Sequence, residues 1–282
     1  MDLGLTDTVV WITGASGGIG RALAETFAAE GARLALHGHR SFDALEAWLE
    51  EQPWRDRALA VRADVRRADE MAAAAAAIRD HFGRIDVTVA NAGVWPPGDL
   101  RVDEMPEARL RDTIEVNLLG TLFTARAFFA SLAASGPRAD GRGAALAMIG
   151  STAGRFGERG HVDYAAAKAA LRGALLTLKN EIVALDPYGR VNLVEPGWTV
   201  THMARPALQQ PGKIRHIVKT TALHQLARAK DVARVVVGLC SPVQSRHVTG
   251  EVVTVSGGME GRTLWTDAEI DEERVRRRLD SD

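Results

Sequence analysis

Seven short apolar runs, each separated from the next by a longer amphipathic stretch, leave this chain few folds to choose from. The runs at residues 9–13, 34–37, 58–61, 87–90, 144–149, 191–195 and 252–255 are apolar almost throughout, as strands are when a parallel sheet buries both their faces. Helical patterns fill the intervals at 19–30, 42–51, 68–82, 106–134, 162–186 and 231–239. The alternation predicts an α/β fold, a doubly wound parallel sheet of about seven strands with helices on both faces. The six alanines at 72–77 fit this reading as a close-packing helix. No repeat and no Pro/Gly/Ser linker divides the chain, so residues 1–261 are expected to form one domain, with 262–282 as a tail carrying a short helix.

Charge excludes some functions. Lys plus Arg number 35 against 36 Asp plus Glu, a formal net charge of −1, so no basic field recruits nucleic acid. Arg276-Arg277-Arg278 lies among acidic residues and reads as a solvated helix end. No run reaches the roughly 18 apolar residues of a membrane span. The lone cysteine, Cys240, follows an apolar stretch and is expected to be buried and inert. No metal site is expected, and the cytoplasm is the expected compartment.

The first strand runs into Thr13-Gly14-Ala15-Ser16-Gly17-Gly18-Ile19-Gly20 and then a helix. Glycines there let a pyrophosphate approach the helix N-terminus, where free amides and the helix dipole favour negative charge. The spacing is G-x-x-x-G-x-G, not the commoner G-x-G-x-x-G. About 20 residues on, a carboxylate would select NAD by accepting from the ribose 2′-hydroxyl. The second strand ends instead in His37-Gly38-His39-Arg40-Ser41. Arg40, with His39 and Ser41, suits a 2′-phosphate, so NADP(H) is the expected cofactor and NAD(H) the alternative. Asp43 is the rival carboxylate, but with Ser41 as N-cap it falls in the first helical turn.

Ser151 follows a buried strand, and Tyr164 and Lys168 stand four apart on one helical face. A tyrosine hydroxyl titrates near 10, and drawing it three units toward neutrality takes about 4 kcal/mol. The Lys168 ammonium and a positive nicotinamide ring are expected to supply it. Tyr164 would then protonate a carbonyl oxygen as hydride reaches the carbon, with Ser151 donating to the same oxygen.

These residues, in this order, make the chain resemble the short-chain dehydrogenase/reductase family in its compact single-domain branch, from about residue 5 to 258. The glycine turn matches the family's cofactor turn, and Asp64-Val65 matches the acidic position that holds the adenine. Asn91-Ala92-Gly93 matches the segment after the fourth strand. Asn117, Ser151, Tyr164 and Lys168 match the catalytic tetrad, with Asn117 implied to hold a water in a relay to Lys168. Pro196-Gly197 and Thr201, with Thr199 between them, match the loop around the nicotinamide. Residues 37–41 resemble the NADP-binding segment of pteridine reductases. The resemblance implies a Rossmann-type sheet, a small carbonyl or alcohol substrate (3-oxoacyl thioester, sugar or other), and a homotetramer or homodimer joined through helices 106–134 and 162–186.

Trp95, Phe156, His161 and Trp198 are the candidate substrate contacts, with 199–219 as a lid and Arg155, Glu158 and Arg159 as further polar groups. Glu195, before Pro196, reads as a solvated edge charge, with recognition of a polar substrate as the alternative. In the tail, Thr266 and Glu269 have capping-box spacing, and Leu264 and Trp265 are candidates to pack on a partner or over the pocket. A non-enzymatic dinucleotide sensor on the same fold is the main rival, disfavoured by the intact Tyr-Lys pair. Epimerases and dehydratases that use Tyr-x-x-x-Lys differ in glycine spacing and carry a larger substrate domain. Enoyl reductases space the pair further apart.

Overall fold

The computed structural model describes residues 2–261 and 265–278; Leu264 lies outside them. Nine strands and eleven α-helices follow in chain order among the described residues. The first half holds β1 (Val9–Ile12), α1 (Gly18–Ala29), β2 (Arg33–Gly38), α2 (Phe42–Glu50), β3 (Ala58–Arg62), α3 (Ala68–Phe82), β4 (Val87–Ala90), α4 (Glu107–Ile114) and α5 (Gly120–Ser135). The second holds β5 (Ala145–Ile149), α6 (Ala153–Phe156), α7 (Val162–Glu181), β6 (Arg190–Pro196), β7 (Thr199–Val200), α8 (Arg205–Leu208), α9 (Lys213–Val218), β8 (Ala227–Arg228), α10 (Ala229–Cys240), β9 (Val252–Val255) and α11 (Glu272–Arg276).

Seven strands form one parallel sheet in the order β3-β2-β1-β4-β5-β6-β9. The winding reverses between β1 and β4, and a crevice opens beyond the carboxyl ends of strands at such a point. Alternate residues of β1 serve opposite cores. Val10 and Ile12 join Leu23 and Phe27 of α1, Leu45 and Leu49 of α2, and Val232 and Val236 of α10. Val9 and Trp11 join Met71 and Ile78 of α3, Phe128 and Leu132 of α5, and Leu171 and Leu175 of α7. Both faces are thus covered, which is why the strand sequences read as apolar throughout. Ala74 and Ala75 of the alanine run face the second core, where small side chains let α3 pack on α5.

The long helix expected at 106–134 is α4 and α5 run together through a π turn at Glu115–Leu119, with Asn117 at its centre. One widened turn of this kind re-aims the side chains it carries. The run Glu107–Ser135 also corrects an expectation, since by length and composition it is apolar enough to cross a membrane. Here its apolar face lies on the sheet through Ala125, Phe128 and Leu132.

A third apolar cluster lies outside the sheet, where β7 pairs with β8 and α8 and α9 form a small lid. Val200, Leu208, Ile214, Ile217, Val218 and Leu226 pack there with Ile270 and Val275 of the tail, and Trp198, Ala204 and Trp265 flank them. The Thr266–Glu269 capping box is present, but it starts a 3-10 turn at Asp267–Glu269 rather than the final helix; Asp271 caps α11. Polar contacts add to the join, with Lys219 paired to Asp267 and Arg278 donating to Gln225.

Candidate active site

A cavity of about 840 Å³ opens at the switch point, running from Ser41 and Ala44 past the glycine turn to Trp95 and Trp198. The turn is built for close approach. Gly14 sits at φ +66°, and a Cβ there would lie 2.8 Å from Ala92 Cα. A Cβ on Gly20 would collide with the Gly14 carbonyl, and one on Gly18 would come 3.0 Å from Thr201 Cγ2. Gly14, Ser16, Gly17, Gly18, Ile19 and Gly20 all line the cavity, so the α1 N-terminus, whose first turn carries no acidic residue, faces it. A pyrophosphate fits this cradle: the glycines let the turn close against Ala92 and Thr201, and the first amides of a helix have no intrahelical partner.

Strand β2 fixes the turn. The Gly14 amide donates to His37 Nδ1 at 3.2 Å, which leaves Nε2 to donate to the Ala63 carbonyl at 2.8 Å. Burial holds this imidazole neutral, its pKa pulled down to about 4. At the opposite lip, the Asn91 side chain donates to the Thr13 and Gly14 carbonyls.

The ribose end departs from expectation in part. Ser41 lines the cavity, whereas His39 and Arg40 are exposed beside it. Asp43 is drawn off by Arg62. Asp64 is clasped by Arg66 through both carboxylate oxygens, which holds its carboxyl below the usual range. Val65 is buried against the site of Gly120, and Ala92 backs Gly14 without reaching the cavity. Sequence reading passed over Arg21, directly after the last glycine. It lines the cavity with its guanidinium over Trp48, and its Nε is buried with no hydrogen-bond partner.

Asn117, Ser151, Tyr164 and Lys168 converge on the cavity beyond the turn. Lys168 is buried, and its Nζ donates to the Ile149 carbonyl at 2.8 Å and lies 5.8 Å from the Tyr164 ring centre. Burial draws this lysine down to about 8. Burial also pushes the Tyr164 hydroxyl above its usual value, with hydrogen bonding to Ser151 pulling the other way. That is the reverse of the expected depression: in the protein alone, desolvation outweighs the hydrogen bond with Ser151. Asn117 is wholly buried, and its side chain is spent on the neighbouring loop. Its Nδ2 donates to the Val94 and Thr113 carbonyls and its Oδ1 accepts from the Val94 amide. Gly93 passes between, where a Cβ would stand 2.8 Å from Asn117 Oδ1.

At the outer end, Trp95 and Trp198 line the cavity with ring centres 6.0 Å apart, and Trp95 meets Tyr164 edge-on at 4.8 Å. Two candidates fall away from it. His161 is buried behind Trp95, stacked at 3.9 Å, with Nδ1 accepting from Arg109 and Nε2 donating to Asp99. Phe156 closes the four-residue α6 and packs toward Gly261. Glu158, Thr152 and the lid residues His202 and Met203 line the cavity instead. Pro196, Gly197, Thr199 and Thr201 line it as expected. Glu195 is corrected: it is fully buried and bound to Arg172, not solvated.

Residues 14–260 match the family described as enoyl-(acyl carrier protein) reductase, adh_short_C2. The L-rhamnose 1-dehydrogenase (NAD(P)(+)) of Azotobacter vinelandii is 34% identical over 261 residues, spanning 90% of this chain and 97% of that protein. The chain belongs to the short-chain dehydrogenase/reductase family. Another relative in the family, the 3-oxoacyl-(acyl-carrier-protein) reductase FabG of Escherichia coli K12, is 32% identical over 89% of this chain and 96% of its own length. A solved short-chain dehydrogenase/reductase from Brucella melitensis, titled a glucose/ribitol dehydrogenase, superposes with a TM-score of 0.82 at 30% identity, over 92% of this chain and 99% of that one. The short-chain dehydrogenase/reductase described here is therefore an oxidoreductase with the family's Rossmann-like sheet.

Proposed function

We propose that this oxidoreductase transfers hydride between NADP(H) and a ketone or secondary alcohol, with Tyr164 giving and taking the proton. The observation that carries the reading is the neutral Tyr164 hydroxyl beside Ser151, in a cavity whose far end is the glycine turn. When bound, the nicotinamide cofactor supplies or accepts the hydride. Tyr164 Oη holds its proton at neutral pH and gives it to the carbonyl oxygen during reduction, with the Lys168 charge offsetting the burial that makes the hydroxyl a weaker acid. Ser151 Oγ donates to that oxygen as charge develops on it. Lys168, titrating at about 8, still carries its charge at neutral pH and stabilises the phenolate left behind. The Asn117 side-chain amide is already engaged, and its main-chain carbonyl accepts from Thr121 Oγ1.

Preference for NADP(H) is supported by the lack of a free carboxylate at the end of β2 and by two cations there, exposed Arg40 and cavity-lining Arg21. The Tyr-x-x-x-Lys spacing favours a ketone over an enoyl substrate, and the named relatives act on a sugar and a 3-oxoacyl thioester. A homotetramer or homodimer is supported by exposed Leu119, Val162, Leu176 and Val183 on the α5 and α7 side. The decisive test is Tyr164→Phe: NADPH-linked turnover is lost while NADPH still binds by fluorescence titration. A fully active variant ends the proposal.

A further inference from the structure

Among the described residues, Glu158 is the one carboxylate in the cavity wall. It is half-buried, and no hydrogen bond or ion pair engages its side chain. The neighbouring carboxylates lie outside the cavity wall and hold protein partners: Asp163 Oδ2 accepts from Arg109 and Thr113, Asp99 from His161 and Glu195 from Arg172. A carboxylate can accept from several donors at once, so this one is kept for something that enters the cavity. The walls beside it are aromatic. Trp95 and Trp198 meet at 64°, a corner that offers broad flat faces to a ring. The His161 stack and the Arg109 bonds to the Pro97, Gly98 and Gly160 carbonyls hold Trp95 in place.

On the footing of the function proposed above, we infer that the substrate is a neutral polyhydroxylated ring, a sugar or cyclitol, laid against Trp95 and Trp198 with its hydroxyls donating to Glu158. An acyl chain would seal Glu158 against methylenes with no donor, and a partly buried carboxylate left in that state opposes binding. A cationic substrate fits less well, because Lys213 already lies 4.9 Å from the Trp198 ring centre and its charge already reaches Glu158. Burial raises the Glu158 carboxyl above its ordinary value, as expected of an acceptor awaiting donors. The chemistry is that of the parent proposal. The ring carbinol gives one hydride to NADP+ and one hydroxyl proton to the protein, leaving the carbonyl and NADPH.

The test compares aldopyranoses and inositols with cyclohexanol in NADP+ reduction, and acetoacetyl-N-acetylcysteamine in NADPH oxidation. The expected result is a clear preference for the hydroxylated rings. The ratio of their kcat/KM to that of cyclohexanol should fall at least tenfold in Glu158→Ala and less in Glu158→Gln, which keeps an acceptor oxygen. NADPH binding by each variant reports that it is folded. Preference for the thioester or the plain ring, or a ratio that Glu158→Ala leaves unchanged, overturns the inference and leaves the oxidoreductase reading standing. If no compound is turned over, the reading beneath it fails. Saturable quenching of tryptophan fluorescence by the sugars, abolished in Glu158→Ala, then still decides for the binding site, and no quenching decides against it.

Discussion

Arg172, one turn beyond Lys168 on α7, closes on both carboxylate oxygens of Glu195 at the end of β6, at 2.8 and 2.6 Å. The pair ties the helix that carries Tyr164 and Lys168 to the strand that leads into Pro196 and Gly197. Glu195 is fully buried, whereas Arg172 is 38% exposed at its side chain, so the carboxylate depends on the guanidinium more than the reverse. Arg172→Met strands a buried charge and should cost about 3 kcal/mol. Arg172→Met/Glu195→Met removes both charges and should recover most of that loss. Urea unfolding of the four proteins in the cycle measures the coupling. Equal losses in the single and double variants would show that the pair carries none.

A second prediction concerns acid. His37 is neutral in the folded protein down to about pH 4, while an unfolded histidine takes up its proton near 6.5. Between those values the unfolded state binds the extra proton, so stability falls as pH drops from 6.5 to 4. The full loss from this one group is roughly 3 kcal/mol. Protonation would also remove the Nδ1 acceptor for the Gly14 amide, so cofactor binding should weaken over the same range. His37→Gln cannot titrate there, and its stability should be flatter with pH than that of the wild type. Parallel profiles would exclude His37 as the group responsible.

How far the sequence could be read depended on whether a residue's role lay in its own segment or across the fold. Val9 to Ile12 announced a doubly buried strand because each residue faces one of two cores, and hydropathy records exactly that burial. Tyr164 and Lys168 were legible because helical geometry alone brings them to one side. Glu195 was misread as solvated because its partner, Arg172, approaches from another element, and a charge in a sequence does not say what faces it. His161 and Phe156 lie close to Tyr164 along the chain, yet Arg109 and Asp99 claim one and the short α6 turns the other toward Gly261. Arg21 was passed over because a basic residue in a first helical turn ordinarily signals nothing; only its orphaned Nε and place in the cavity wall mark it.

Lys168 gives a prediction of the same pH sense in an alkaline window. Its pKa falls from 10.5 to about 8 on burial. Below pH 8 it is charged both folded and unfolded, and the folded state bears the whole desolvation penalty. Between 8 and 10.5 the folded protein releases a proton that the unfolded chain keeps, so this group's contribution to stability improves as pH rises. Lys168→Met removes the penalty, and the variant should exceed the wild type in stability by more at pH 7 than at pH 10. Chemical denaturation at the two values reads the difference. A gap that stays constant would mean that Lys168 does not titrate in this window.

The tail makes the last prediction, because it completes the lid rather than trailing from the sheet. Val275 is 1% exposed and Ile270 is 7% exposed, both within the apolar cluster of α8 and α9. The same cluster is flanked by Trp198 and Ala204, which line the cavity. Loss of tail packing should therefore reach the substrate end without touching Tyr164. Val275→Asp places a charge in that cluster and should release α11, at a local cost of about 3 kcal/mol. Amide exchange should rise across residues 205–218 while β1, β4 and β5 stay protected. With the lid loosened, KM for substrate should rise severalfold and NADPH affinity should change little, since the glycine turn and His37 lie at the other end of the cavity. Unchanged exchange over 205–218 would show that the lid holds its shape without the tail.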